Sequence, residues 1–118
     1  MHNDTEIESH RKVLCGANAY EQKYFFNEKE FGTLPESIKD ELHIICVLFT
    51  EEVGGIFMIV VEEDGSISMD TQSAEDDYYY DEVSSGLLVN QIRMKRADLL
   101  ESISMYYRVF YLHEDIKD

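Results

Sequence analysis

The clearest pattern in the chain is a run of β-branched and aromatic residues that leads into a tight turn and leaves it by alternation. Residues 55 to 62 are dominated by apolar side chains, and Asp64-Gly65 is a preferred hairpin turn. Every second residue after the turn is then apolar or β-branched: Ile67, Met69 and Thr71. The pattern predicts a β-hairpin. Because a lone hairpin is marginal in water and its first strand is apolar on both faces, it needs covering helices, a third strand or a second copy of the chain.

A second pattern predicts one long helix near the C-terminus, over residues 84 to 111. Apolar side chains of that segment share one helical stripe, formed by Leu88, Ile92, Leu99, Ile103, Tyr106 and Phe110. The residues that follow, 113 to 118, are mostly charged and are predicted to form a tail.

The segment from residue 35 to residue 53 is predicted to form the core helix. Pro35 suits a first helical turn, Glu36 suits the positive end of the helix dipole, and Gly54 suits a C-terminal stop. The six consecutive apolar residues from 44 to 49 would also fit a buried strand, and that alternative stays open.

Residues 18 to 31 carry a weaker signal. Asn18 is suited to capping a helix, and aromatic residues recur near helical spacing at Tyr20, Tyr24 and Phe31. We expect a short helix here, with a strand as the alternative. Residues 1 to 12 contain few apolar side chains and are predicted to be a flexible N-terminal arm.

These elements together predict an α+β fold. A β-hairpin, extended in one version to a three-stranded antiparallel sheet, packs against the core helix and the long C-terminal helix. The chain has 118 residues, of which 44% are hydrophobic, and no linker or repeat interrupts it. Residues 13 to 112 are therefore expected to form a single domain.

The chain is strongly acidic. It contains 25 Asp and Glu against 10 Lys and Arg, a net charge of -15, which argues against binding to nucleic acid or to anionic membranes. No basic residue lies between Lys39 and Arg93, whereas thirteen acids do. The partner we expect is a protein with a basic surface, or a second copy of the chain.

The two cysteines and the termini bear on the compartment. Cys15 and Cys46 show no CxxC or Cys-His spacing, so we expect free thiols. No apolar stretch reaches the ~18 residues that a membrane span needs, and the polar N-terminus does not resemble a secretory signal. The protein is expected to be cytoplasmic.

Candidate catalytic chemistry is sparse. A carboxylate site for a divalent metal, with hydrolytic activity, is one hypothesis, and its ligands would come from Asp70, Asp76, Asp77 and Asp81. The EF-hand spacing does not fit, and nucleophile-elbow, phosphate-loop and zincin motifs are absent from the sequence. His43 and Cys46, three positions apart on the core helix, fit a surface histidine beside a buried thiol better than a ligand pair. We predict no catalytic residue, no metal and no cofactor.

The segment AEDDYYYDE, residues 74 to 82, holds five carboxylates around three consecutive tyrosines. Three adjacent side chains cannot all point the same way, so at least one tyrosine should be exposed. Exposed tyrosines beside acids are typical of protein-binding surfaces. The candidate interaction surface is Tyr78, Tyr79, Tyr80, Asp76 and Asp77. In the alternative, two tyrosines anchor the loop and the acids cap the following helix.

Three segments, CGANAYEQKYFFNEKEFGTLPESIKDEL, LFTEEVGGI and YDEVSSGLLV, resemble a family of small uncharacterised proteins of Firmicutes, a domain of unknown function. The resemblance covers residues 12 to 112. It implies a bacterial cytoplasmic setting and supplies no activity, ligand or catalytic residue.

The sequence as a whole favours a small acidic protein without catalytic activity. We predict an interaction or regulatory module that forms a homodimer through the apolar strand or the long helix. The carboxylate metal site is the first alternative. The second is an acidic mimic that occupies the site of a basic nucleic-acid-binding protein.

Overall fold

The computed structural model of the protein describes residues 11 to 114. In chain order its elements are β1 (Lys12–Asn18), β2 (Lys23–Phe26), α1 (Glu28–Phe31), α2 (Glu36–Val53), β3 (Ile56–Val61), β4 (Ile67–Gln72), α3 (Glu82–Lys95) and α4 (Ala97–Phe110). The strands form one four-stranded antiparallel sheet in the order β2-β1-β3-β4. The predicted α+β class is confirmed, with one strand more than the largest sheet expected.

The predicted arm and tail fall largely outside the described residues. Residues 1 to 10 of the arm and residues 115 to 118 of the tail are not described. Lys12, which was assigned to the arm, is the first residue of β1.

The predicted β-hairpin is confirmed as β3 and β4, which pair from Ile56 opposite Gln72 to Val61 opposite Ile67. The turn between them contains Gly65 at a φ of 93°, a left-handed backbone conformation that favours glycine. The Asp64 carboxylate accepts a hydrogen bond from the Ser66 N–H at 2.9 Å, which fixes the same turn.

The helix predicted for residues 18 to 31 is wrong over most of that segment: β2 spans Lys23–Phe26, as in the strand alternative, and only Glu28–Phe31 is helical. The Asn18 side chain accepts a hydrogen bond from the N–H of Tyr20 at 2.9 Å, but it closes a turn between β1 and β2 instead of capping a helix. Tyr24 and Phe26 pack against the core while Phe25 is exposed, so the aromatic residues alternate as in a strand.

The core helix is confirmed as α2, and residues 44 to 49 are helical instead of forming a strand. Its apolar run is buried on one side only. Cys46 and Phe49 lie in the core, whereas Ile44 and Leu48 are exposed. Within residues 11 to 114 no helix has both the length and the apolar character that a membrane span requires.

The single long helix predicted for residues 84 to 111 is broken at Arg96 into α3 and α4. Arg96 has φ -114° and ψ 29°, which are not helical angles. The break lets the two halves pack differently: α3 lies against α2, and α4 reaches β4. The apolar stripe continues across the break, since Ile92 and Leu99 are both buried, and it therefore gave no sign of the interruption.

The core lies on one face of the sheet. From β3 this face contributes side chains that are fully buried, namely Phe57, Ile59 and Val61. On the opposite face Arg11 forms ion pairs with Glu62 at 2.8 Å and with Asp70 at 3.1 Å. The helices therefore cover one face of β3, and charged side chains lie at one end of its other face.

Candidate interaction surfaces

The tyrosine loop, residues 73 to 81, connects β4 to α3 and is anchored by its last tyrosine. The Tyr80 ring packs against the core and its hydroxyl donates a hydrogen bond to Ser85 Oγ at 3.0 Å. Gly55 makes room for that ring, because a Cβ at this position would meet a Tyr80 carbon at 2.5 Å. One tyrosine of the three is thus a structural anchor, where the alternative reading of the sequence expected two.

The middle of the loop is tied to the turn between β1 and β2. The Tyr20 hydroxyl donates to Asp77 Oδ2 at 2.6 Å and accepts from the Ala74 N–H at 2.8 Å. The other Asp77 oxygen accepts from the Tyr79 N–H at 3.0 Å. The hydrogen bond to Asp77 raises the pKa of Tyr20 above its ordinary value. Asp77, predicted as part of the interaction surface, therefore serves to hold the loop.

The end of the loop caps α3, as the alternative reading of the sequence predicted. Asp81 accepts hydrogen bonds from the Ser84 N–H at 3.0 Å and from the Ser84 hydroxyl at 2.7 Å. The bond from the backbone N–H, followed by that from the hydroxyl, lowers the pKa of Asp81.

The two remaining tyrosines project from this fixed loop into solvent. Tyr78 is 89% exposed and Tyr79 is 96% exposed, and the neighbouring Asp76 is exposed as well. The expectation that at least one of the three tyrosines faces solvent is confirmed. Large side chains held at this exposure on an anchored loop are available for contact with another molecule.

Three of the four aspartates proposed as metal ligands have other roles in the structure. Asp70 binds Arg11, Asp77 holds the tyrosine loop, and Asp81 caps α3. In the part of the chain from residue 11 to residue 114, no group of three or more His, Cys, Asp or Glu side chains is arranged to hold a metal ion.

Cys15 and Cys46 are free thiols that meet in the core, with their Sγ atoms 3.6 Å apart. The contact with Cys15, followed by burial, raises the pKa of Cys46. His43 lies on the exposed side of α2 and stacks on Tyr24, with ring centroids 4.1 Å apart. The pair of His43 and Cys46 is thus a surface histidine and a buried thiol, as the sequence favoured.

A second surface, which sequence reasoning missed, lies between α2 and α3 and is called here the helical groove. The two helices run antiparallel, since Arg96 at the end of α3 contacts Glu41 near the start of α2 at 3.1 Å. The groove contains a cavity of about 190 Å³ whose lining is mainly apolar; it includes Ile45, Leu48, Phe49, Leu88 and Ile92.

Both helices that form the helical groove carry exposed apolar side chains, of which Leu48 also lines the cavity. On α2 these are Ile44 and Leu48, at 51% and 56% exposure, and on α3 they are Leu87 and Met94, at 62% and 79%. Ile44 and Leu48 were assigned to the core by their place in an apolar run. Only the packing of α2 on the sheet shows that they lie outside it.

The comparison with family models matches residues 11 to 115 to a family of unknown function, DUF6145. The chain belongs to this family. The DUF6145 match confirms the domain of unknown function to which the sequence was likened, and it covers all the described elements. Neither the curated proteins nor the solved structures contain a significant match.

Proposed function

We propose that this DUF6145 protein is a small acidic interaction module without catalytic activity, and that its tyrosine loop binds a basic surface of another protein in the cytoplasm. The observation that carries the proposal is the exposure of Tyr78 and Tyr79 on a loop that hydrogen bonds hold in place.

The anchored loop favours binding, because the loop has lost most of its conformational entropy on folding and loses little more when a partner binds. A tyrosine side chain loses little rotamer freedom on contact and offers both apolar area and a hydroxyl. The hydrogen bonds of Asp77 and Tyr80 fix the backbone on either side of Tyr78 and Tyr79. The two rings therefore extend from a defined position.

The charge around the rings selects the class of partner. Five carboxylates lie between residues 74 and 82, and no Lys or Arg lies between Lys39 and Arg93. A basic protein surface would be attracted to this region, and an acidic one repelled. We expect the complex to weaken as salt concentration rises, because exposed charges are screened.

The cytoplasmic setting is part of the proposal. It is supported by two thiols that lie 3.6 Å apart and are nevertheless free, as in proteins of reducing compartments.

The test is capture of the partner by the immobilised full-length protein, followed by titration of the purified partner against variants. Tyr78→Ser combined with Tyr79→Ser should weaken binding at least ~10-fold, the scale of an aromatic hot spot. The matched control is Phe25→Ser combined with Phe110→Ser, which removes two aromatic rings of 55% and 65% exposure elsewhere. Equal affinity of both double variants for the partner would contradict the proposal.

The identity of the captured partner also tests the mimic hypothesis. A nucleic-acid-binding protein that releases its nucleic acid when the loop binds would support mimicry. A basic partner that still binds nucleic acid while the loop is bound would support the interaction module and contradict the mimic hypothesis.

A further inference from the structure

We propose that the helical groove is a self-association surface, at which a second copy of this chain forms a weak and reversible homodimer. The proposal concerns a different surface and a different partner from those of the tyrosine loop, and it stands independently of that function.

The first support is the amount of apolar surface that the groove leaves uncovered. Ile44, Leu48, Leu87 and Met94 are all more than half exposed, although they lie on two adjacent helices. By contrast, Phe25 is the one large apolar side chain at comparable exposure on the second face of the sheet, among the described residues. Exposed apolar side chains on two adjacent helices, beside a mainly apolar cavity, are typical of contact sites in soluble proteins.

The second support is charge balance. Three charged side chains line the cavity, namely Glu52, Lys95 and Arg96, and Glu41 forms an ion pair with Arg96 at 3.1 Å. Two are negative and two are positive, so the local sum is zero in a chain whose net charge is -15. Two copies of so acidic a protein repel each other at most surfaces, and the groove is a place where they can meet without facing like charges.

The third support is that the groove is complementary to itself. Lys95 is the last residue of α3, and Glu52 lies near the end of α2. Because the two helices are antiparallel, these two residues lie on opposite walls and at opposite ends of the groove. Neither forms an ion pair within residues 11 to 114. A two-fold axis midway between them exchanges their positions, which places Lys95 of each copy against the partner copy's Glu52.

The size of the surface determines the expected strength. Helices of 14 residues are about 21 Å long. Two helices that pack about 9 Å apart and are each about 10 Å across span about 19 Å, so the groove and its rims cover roughly 400 Å² per copy. Stable interfaces bury about 800 Å² per partner, and weaker encounters bury less. The dimer should therefore be weak, with a dissociation constant between about 1 μM and about 1 mM.

Sedimentation velocity on the full chain, from about 1 μM to about 1 mM, measures this association. The wild type is expected to shift from monomer to dimer across the range. Leu48→Gln, Leu87→Gln and Met94→Gln combined should raise the dissociation constant at least ~10-fold, since the apolar contact is lost without a change in net charge. Phe25→Gln is the matched control, because it removes an exposed apolar side chain from the sheet, and it should leave association unchanged.

Charge variants test the two-fold arrangement. Lys95→Glu and Glu52→Lys should each weaken the dimer by about 3-fold or more, and the combined swap should restore it. If only net repulsion mattered, Glu52→Lys would strengthen the dimer, because it makes the chain less acidic.

Two outcomes would overturn the proposal. One is a chain that stays monomeric up to about 1 mM, in which case a different molecule occupies the groove. The other is a dimer that Phe25→Gln weakens and the triple Gln variant does not, which would move the interface to the sheet. Either result leaves the tyrosine-loop proposal untouched.

Discussion

The tyrosine loop and the helical groove both expose large side chains, but different forces hold them in place. Hydrogen bonds that Tyr20 and Tyr80 donate and Asp77 accepts fix the loop, whereas apolar packing of α2 on the sheet fixes the groove. The loop is surrounded by acids, and the groove has balanced charges. A chain with a large net charge thus presents two exposed surfaces that differ in local charge.

The largest effect is expected for Phe49→Ala, which removes the floor of the groove. Phe49 is 1% exposed and its ring stacks on Phe57, with centroids 4.2 Å apart. Loss of a buried aromatic ring costs about 3 to 5 kcal/mol, so the free energy of unfolding from urea denaturation should fall by that amount. Partner binding to the tyrosine loop, measured at a temperature where the variant is folded, should persist. An unchanged unfolding free energy would show that the groove is not supported by this ring.

Tyr80→Ala should affect the loop more than the protein as a whole. It removes the ring that packs on the core and the hydrogen bond to Ser85. We expect a loss of about 1 to 3 kcal/mol in unfolding free energy, together with faster proteolytic cleavage between residues 73 and 81. Tyr80→Phe keeps the ring, so it should lose about 1 kcal/mol and leave the cleavage rate near that of the wild type. Equal cleavage of Tyr80→Ala and the wild type would mean that the loop is anchored elsewhere.

Acid should weaken the junction of the loop with α3 through Asp81. The pKa of Asp81 is lowered in the folded protein, so its charged form stabilises the fold at pH values above the ordinary carboxyl pKa. That contribution is lost as pH falls through the lowered value. Thermal melts of wild type and Asp81→Asn should therefore differ at neutral pH and converge in acid. Comparison with Asp81→Asn separates this effect from that of Glu62, whose pKa is also lowered, mainly by Arg11. A gap between the two melts that is constant with pH would contradict this role.

Gly86→Ala is expected to have the smallest effect on stability. It should change neither the tyrosine loop nor the helical groove, so it serves as a control for both surfaces. Gly86 lies inside α3, and a Cβ there meets no atom within 4 Å. Alanine should raise the unfolding free energy by about 0.5 to 1 kcal/mol, because glycine in a helix interior loses more chain entropy on folding. Partner affinity and the dimer dissociation constant should stay at the wild-type values. A loss of stability would indicate that the helix backbone is strained at this point.

The parts of the fold that the sequence predicted correctly are those set by local chemistry. Asp64-Gly65 determines the hairpin turn, and Asp81 stands where a helix needs a cap. Pro35 and Gly54 likewise bracket α2, which begins and ends within a residue of the predicted bounds. Each of these signals acts over a few residues, so it does not depend on how the elements pack.

The predictions from the sequence were wrong where tertiary packing determines the structure. No Gly or Pro marks the break at Arg96, and the apolar stripe of the predicted long helix continues through it. In the tyrosine loop, the exposure of at least one tyrosine was predicted, but the choice of Tyr80 as the anchor depends on its contact with Gly55. The helical groove could not be predicted, because it exists only where α2 and α3 come together.

The central claim, that the two surfaces bind partners of different charge, is tested most directly by salt titration of both complexes in one buffer. The dissociation constant of the captured partner should rise with salt, because opposite charges are screened. The dimer dissociation constant should fall with salt. Salt screens both the repulsion between two chains of net charge -15 and the attraction of the two exposed ion pairs, and the repulsion is the larger of the two. Dissociation constants that move in the same direction would contradict the account.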